Sequence, residues 1–312
     1  MSLFIKNVEL KSNIILAPMA NFTDFAFRKM CDDYGAGLVC TEMVSASALH
    51  YNSKKTEDLL IGERGNCPVA VQIFGHSPEI MAEAVQNPLL SKFDIIDINM
   101  GCPARKIVAN GDGSALLKNI ELAKNIIEAC MKVSTKPVTV KFRIGYTLDN
   151  IIAVEFAKMC EEAGASAITV HGRTTSQGYS GVPNYDVIRQ VKESVHIPVF
   201  ANGDCRSLSD AKKILDITKA DGIMIGRGAL GRPEIFSEIL NEEPVAVDKL
   251  SQIKFHYNEI NRVFGERYTV KYMRSHLAYY LSGKYKNSVA LVKLLKMEKI
   301  DEIFAFLDNI MK

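Results

Sequence analysis

The chain has 312 residues, of which 47% are hydrophobic and 24% charged, with a net charge of +2. That size supports one large core plus a small appended unit, and that composition excludes a disordered chain or a globally basic one. No apolar run nears the ~20 residues of a membrane helix, and residues 1–10 carry charge early and lack the apolar stretch of an export signal. The seven cysteines are scattered, with no Cys-x-x-Cys pair. Reduced thiols, a cytoplasmic location and no metal site are therefore expected.

Taken in order, the short apolar runs Ile14–Ala17, Leu38–Thr41, Val69–Ile73, Ile95–Asn99, Val138–Arg143, Ala167–His171, Val199–Asn202 and Gly222–Ile225 read as buried strands. They are mostly aliphatic or β-branched and are bounded by Gly, Pro or Asp. Their nearly continuous apolar character suits parallel strands covered on both faces. Helical patterns fill the gaps. Thr23 is expected to cap a helix running to Tyr34, Ser77-Pro-Glu to open another, and Asn119 to precede one over Ile120–Val133. Further helices are expected over Asp149–Ala163 and Ser207–Thr218. Eight strands alternating with helices predict a (β/α)8 TIM barrel. A doubly wound sheet would need a G-x-G-x-x-G turn after its first strand, and Ala17-Pro-Met-Ala-Asn-Phe-Thr-Asp24 is not one.

Beyond Glu242 the strand pattern stops. Asp248–Phe264, Val270–Leu281 and Asn287–Ile310 read as amphipathic helices, so a catalytic barrel over 1–242 and a small helical domain over 243–312 are expected. From Glu243 to Lys312 there are 12 Lys/Arg against 8 Asp/Glu, and from Arg262 to Lys299 there are 9 against 2. A local basic surface therefore sits on the tail of a nearly neutral chain.

In a parallel barrel the chemistry lies at the C-terminal strand ends. Here those tips are Ala17-Pro-Met19, Thr41-Glu42, Gln72, Asn99 with Cys102, Lys141 with Arg143, His171 with Arg173, Asn202-Gly-Asp204 and Gly226-Arg-Gly228. Eight polar or glycine-rich tips in register predict a binding face. The last two sit where barrels commonly hold a phosphate, offering backbone N–H groups and Arg227. A short helix after Gly228 would point its N-terminus at the same place. Lys141, facing inward, needs an electron-rich partner, for which a reduced flavin is suited. Gln72 offers a donor and an acceptor to such a ring. Cys102 is open to three readings: an inert thiol, a nucleophile, or a thiol that is protonated at neutral pH and serves as a general acid. The other six cysteines read as buried and inert.

Asn99-Met-Gly-Cys-Pro103, Lys141-Phe-Arg-Ile-Gly145, His171-Gly-Arg173, Asn202-Gly-Asp204 and Gly226-Arg-Gly228, opened by Ala17-Pro-Met19, resemble the tRNA-dihydrouridine synthases, nearest the bacterial B-type branch. The likeness covers the barrel, and the tail fits that family's C-terminal RNA-binding domain. The resemblance implies reduction of a uracil C5–C6 double bond in tRNA, with FMN as cofactor and NADPH or NADH as reductant. It implies that Cys102 is the acid and that Ala17, Pro18, Met19, Gln72, Asn99, Lys141, His171, Asn202, Gly203, Asp204, Gly226 and Arg227 border the cofactor. Arg173 is expected to help position substrate or cofactor. Arg262, Arg267, Lys271, Arg274, Lys284, Lys286 and Lys293 are candidates to hold tRNA phosphates. No membrane and no obligatory protein partner are expected. Three features depart from the family pattern: Asn21, Tyr185 and Cys205. An FMN barrel acting on a free pyrimidine, or a barrel that only binds RNA, would share parts of this pattern.

Overall fold

The computed structural model describes residues 3–62, 65–283, 285 and 288–311. Eight parallel strands form its centre: β1 (Ile14–Leu16), β2 (Val39–Ser45), β3 (Val69–Phe74), β4 (Ile95–Met100), β5 (Val138–Arg143), β6 (Ala167–His171), β7 (Val199–Asn202) and β8 (Gly222–Ile225). The sheet runs β1-β8-β7-β6-β5-β4-β3-β2. Two backbone bonds close it between β1 and β2, Leu16 N to Leu38 O at 2.9 Å and Gly37 N to Ile14 O at 2.8 Å. The result is the expected (β/α)8 barrel.

Strand alternation sorts the side chains into two sets. Ile14, Leu16, Val69, Val71, Ile73, Ile96, Ile98, Val138, Val140 and Phe142 point outward into the layer under the helices. Ile15, Leu38, Cys40, Ala70, Ile95, Ala167, Phe200 and Met224 fill the lower interior, plugged from below by Ile5 and Leu10 around an N-terminal hairpin. Higher up the same inward rows turn polar, through Asp97, Thr139 and Thr169 to Gln72, Asn99, Lys141 and His171. The barrel is therefore apolar at its base and polar at its mouth.

The covering helices include α1 (Phe25–Asp33), α2 (Pro78–Val85), α3 (Ile120–Val133), α4 (Ala153–Glu162), α5 (Tyr185–Ser194), α6 (Leu208–Thr218) and α7 (Ile235–Asn241). Ser77, Asn119 and Ser207 cap α2, α3 and α6 with their side chains. Asp24 caps α1, where Thr23 was expected to. Thr23 is fully buried and closes the preceding turn onto Met19 instead. Residues 149–152 do not start α4, because Asn150–Ile151 pairs with Gly145–Thr147 in a short hairpin.

The tail holds α8 (Lys249–Phe264), α9 (Glu266–Tyr280), α10 (Val289–Leu294) and α11 (Ile300–Ile310). Gly265, at φ +76°, separates α8 from α9, so α9 starts four residues earlier than Val270. The last expected helix is two, because Ile300 N turns away to Glu266 Oε1 at 2.9 Å to begin α11. The tail packs directly on the barrel. A Cβ on Gly231 would lie 2.4 Å from the carbonyl carbon of Tyr279, so only glycine lets α9 approach there. Nearby, Lys249 Nζ reaches Gly231 O at 2.9 Å and Glu234 Oε1 at 2.8 Å, and Gln252 Nε2 donates to Tyr34 OH at 2.8 Å.

Candidate active site

The strand tips open into a cavity of about 810 Å³. Ligand sites commonly span about 300–1,000 Å³. Its wall gathers Ala17, Pro18, Met19, Gln72, Asn99, Lys141, His171, Asn202, Gly203, Asp204, Gly226 and Arg227, together with Cys102 and Gly228. Residues from all eight barrel segments thus converge because each strand ends at the same rim.

Cys102 follows β4 on a loop held from two sides. Asn99 Oδ1 accepts the Cys102 and Gly101 N–H groups at 2.9 and 3.2 Å. The Cys102 carbonyl accepts from Ser114 N at 3.1 Å and Ser114 Oγ at 2.9 Å. The side chain is half-buried, while the other six cysteines are buried. Burial pushes the Cys102 thiol above its ordinary pKa, against smaller opposing effects of the Ala104 N–H, Arg143 and Lys141. The group facing the cavity at neutral pH is therefore S–H.

Lys141 is held toward the same space. Its Nζ donates to Asn202 Oδ1 at 3.1 Å, and Asn202 Nδ2 is fixed on Met224 O at 2.8 Å. That supplies one acceptor to an ammonium with three donors. Burial, then Arg143, lowers Lys141 to about 8, with Asp97 opposing. Burial, then Lys141 and three arginines, holds the His171 imidazole well below its usual range, so it is neutral.

The glycine tips differ in what they make room for. A Cβ on Gly226 would meet only Ala17 Cβ and Met19 Sδ at 3.6 Å, so its face of the cavity is open. Gly228 is required by packing, since a Cβ there would lie 2.1 Å from Cys205 O. Gly228 lies within one 3-10 turn, Arg227–Ala229, and the next helix, α7, starts only at Ile235 instead of directly after Gly228, so any anion there meets loop N–H groups.

Arg173 does not line the cavity. It is 1% exposed. Its Nη1 and Nη2 grip Asp204 at 2.9 and 2.5 Å, and Nε and Nη2 donate to Ser180 O and Gly181 O at 3.0 and 2.6 Å. The Arg173 pairing holds Asp204 below the usual carboxylate range. Asp204 in turn meets Arg227 at 3.2 Å, and Arg227 lies 4.5 Å from the Tyr179 ring centroid.

Of the candidate phosphate-binding residues, Arg262, Arg267, Lys271, Arg274 and Lys293 lie outside the cavity wall. Arg267 and Lys271 are exposed on α9, four residues apart and hence on one face. Arg262 is exposed but pairs with Glu259 at 2.9 Å, and Lys293 lies over the Phe306 ring at 5.2 Å. Arg274 is half-buried, with Nε enclosed. Lys284 and Lys286 lie outside the described residues.

Several wall residues had no place among the expected site residues: Phe22, Met43, Arg105, Arg143, Tyr179, Arg206 and Tyr279. Arg105, three positions after Cys102, and Arg143, at a strand tip, carried a sequence signal. Tyr279 carried none, because it comes from the helical tail and meets Phe22 edge-on at 5.3 Å.

Fold and site define a (β/α)8-barrel enzyme with its chemistry at the C-terminal rim. The chain belongs to the dihydrouridine synthase family, whose model matches residues 15–310. It is 42% identical over 316 residues to the "Probable tRNA-dihydrouridine synthase" of Rickettsia conorii, covering 96% of each chain. It is 42% identical over 293 residues to "tRNA-dihydrouridine synthase B" of Pasteurella multocida, covering 91% of this chain and 88% of that one. Among solved structures, a variant of NCR from Zymomonas mobilis shares the fold at TM-score 0.55 and 16% identity, over 80% of this chain and 93% of that one. Among the described residues, no helix is long and apolar enough to cross a membrane.

Proposed function

We propose that this chain reduces the C5–C6 double bond of uridines in tRNA, with FMN at the strand tips, NADPH or NADH as reductant, and Cys102 as the proton donor to C5. The observation that carries the reading is a protonated thiol, Cys102, in the wall of one cavity with Lys141, Asn99 and His171. The residues fit a flavin. Lys141 presents spare donors to an electron-rich ring edge, and the open face at Gly226, next to Arg227, fits a phosphate-bearing chain. The chemistry a bound flavin supplies is hydride delivery to uracil C6.

This chain's residues do the rest. Asn99, Lys141 and His171 orient the ring systems by hydrogen bonds. Phe22 and Tyr279 narrow the mouth and limit water. As negative charge develops at C5 and the C4 carbonyl, Cys102 Sγ–H gives its proton to C5. A duplex-stacked uridine is out of reach of a recessed site, so the base enters flipped out of the folded tRNA. Residues 243–312 contribute the tRNA-facing domain beside a catalytic barrel over 1–242. Reduced cysteines accord with work in the cytoplasm.

The test is Cys102→Ala. The variant is expected to keep its flavin and its NADPH oxidation by oxygen, and to lose dihydrouridine formation on tRNA. Undiminished dihydrouridine formation removes Cys102 from the reaction. Turnover on free uridine equal to that on tRNA favours a free-pyrimidine reductase instead.

A further inference from the structure

The inward rows of β3, β4 and β5 form a hydrogen-bonded chain that starts below the cavity and ends at the Cys102 backbone. Thr139 Oγ1 and Gln72 Nε2 donate to the two oxygens of Asp97, each at 2.6 Å. Asn99 Nδ2 donates to Gln72 Oε1 at 2.8 Å. Asn99 Oδ1 then accepts Cys102 N at 2.9 Å and Gly101 N at 3.2 Å. The strand register makes this possible, because Gln72 and Asp97 are cross-strand partners, as are Asp97 and Thr139. Asp97, Gln72, Asn99 and Thr139 are all at most 8% exposed.

Resting on the reading of Cys102 given above, we propose that Asp97 is a positioning residue for it. Asp97 acts through Gln72 and Asn99 and fixes the direction of both amides. An amide side chain has a donor end and an acceptor end of nearly equal shape, so packing alone does not orient it. Both oxygens of Asp97 accept here. Asp97 therefore draws in the Gln72 NH2 and leaves the Gln72 carbonyl for Asn99. The Asn99 NH2 takes that carbonyl, and the Asn99 carbonyl is left for the Cys102 and Gly101 N–H groups. Reversing the first link reverses all three, and the last would then set an NH2 against two backbone N–H groups. That leaves buried donors unpaired and releases the loop.

Asp97 has a second effect on the same rim. It is the carboxylate among the groups that favour the charged form of Lys141. Asp97 thus supports a cation and orients a thiol-bearing loop, without reaching the cavity wall itself.

The test is the alkylation of Cys102 by iodoacetamide against pH in the full-length protein, read by peptide mass. The six other cysteines are buried. Asp97→Leu removes the acceptor that fixes the Gln72 amide and puts no hydrogen-bonding group in its place. It is expected to free the loop and raise the Cys102 alkylation rate at pH 7.5 by at least about fivefold. Asp97→Asn combined with Gln72→Glu restores the direction, because the carboxylate introduced by the second change accepts at both ends, and the rate is expected to return within about twofold of the parent. Should Asp97→Leu not fold, Gln72→Leu cuts the chain without a charge change and is expected to raise the rate similarly. A folded single variant with the parent alkylation profile overturns the proposal, as does a double variant that stays fast. The assay needs no tRNA and no turnover, so its failure is distinct from failure of Cys102→Ala to abolish dihydrouridine formation.

Discussion

Asp24 Oδ2 lies 3.1 Å from His256 Nε2, joining the first turn of the first barrel helix to the helical tail. The same oxygen accepts Tyr272 OH at 3.1 Å and lies 3.3 Å from His276 Nε2, while Asp24 Oδ1 caps α1. Interactions with His256 and His276 hold the Asp24 carboxyl well below its usual range against the opposing cost of burial. One carboxylate therefore ends a helix and docks the helical tail.

This junction gives a stability profile with two opposing parts. Burial, then His256, lowers His276 from 6.5 to about 4, so the unfolded chain takes up a proton in that window and the folded one does not. Stability from this group is complete above pH 6.5 and is lost as pH falls toward 4. Glu42, buried close by, is raised from 4.5 to about 7 by burial, so the folded chain holds a proton there that the unfolded chain releases. Stability from that group is complete below pH 4.5 and is lost as pH rises through 7. Each shift corresponds to about 3 kcal/mol. His171, also held low, adds to the rise from His276, so the parent is expected to gain stability as pH rises from 4.5 to 6.5 in urea unfolding. Glu42→Gln, whose Oε1 still accepts Asn21 N, is expected to gain about 3 kcal/mol more than the parent across that window. A variant profile parallel to the parent's refutes this balance.

Lys141 predicts a pH limit on cofactor binding. Its unliganded pKa of about 8 means the ammonium is progressively lost above that pH. Affinity for FMN, measured by fluorescence quenching, is expected to weaken as pH rises from 8 toward 10, by up to about tenfold per unit. Lys141→Met is expected to bind FMN more weakly at pH 7 and to show no decline over that range. A parallel decline in both proteins assigns the titration to another group.

How much of this was legible follows from where each partner sits in the chain. The eight strands and their tips could be read because buried parallel strands are short apolar runs, and a tip such as Asn99 to Cys102 carries its turn residues with it. Asn21 departs from the family pattern, yet its φ of +63° is one that Asn tolerates, so the substitution fits the backbone. That Arg173 meets a carboxylate was not legible because its partner, Asp204, is 31 residues away, and position alone does not distinguish an arginine facing a ligand from one facing a carboxylate. Tyr279 and the Asp24 junction were hidden because they need the packing of α8 and α9 on the barrel, which no local pattern encodes. Asp97 was passed over as part of a strand. Its role appears only when register brings Gln72 and Thr139 to either side.

The basic tail makes a separable prediction. Arg267 and Lys271 are exposed on one face of α9, away from the cavity wall. Arg267→Glu with Lys271→Glu is expected to weaken tRNA binding by about tenfold or more at low salt, with a shallower dependence of log K on log salt. FMN content and NADPH oxidation are expected to be unchanged. Unaltered tRNA affinity at every salt concentration removes this face from the RNA surface.

The last prediction concerns Arg173, which acts through Asp204. Its guanidinium is fully enclosed and makes four hydrogen bonds, two to Asp204 and two to carbonyls of the 180–181 loop. Removing one partner of such a pair leaves the other's charge uncompensated, at a cost of about 3–5 kcal/mol when burial is complete. Asp204 is only partly buried, with its side chain 32% exposed, so a lower figure applies. Arg173→Leu is expected to lose about 2–3 kcal/mol, most of it from the two orphaned carbonyls and lost loop packing. Asp204 would then pair with Arg227 alone, drawing that guanidinium from the glycine tips where a phosphate is proposed to sit. Affinity for FMN is expected to fall by about tenfold, while riboflavin, which lacks the phosphate, is expected to bind the variant and the parent alike. Arg173→Lys keeps the charge but not the paired bonds, and intermediate behaviour is expected. Equal losses for FMN and riboflavin would assign Arg173 to the scaffold of the whole rim and not to the phosphate end.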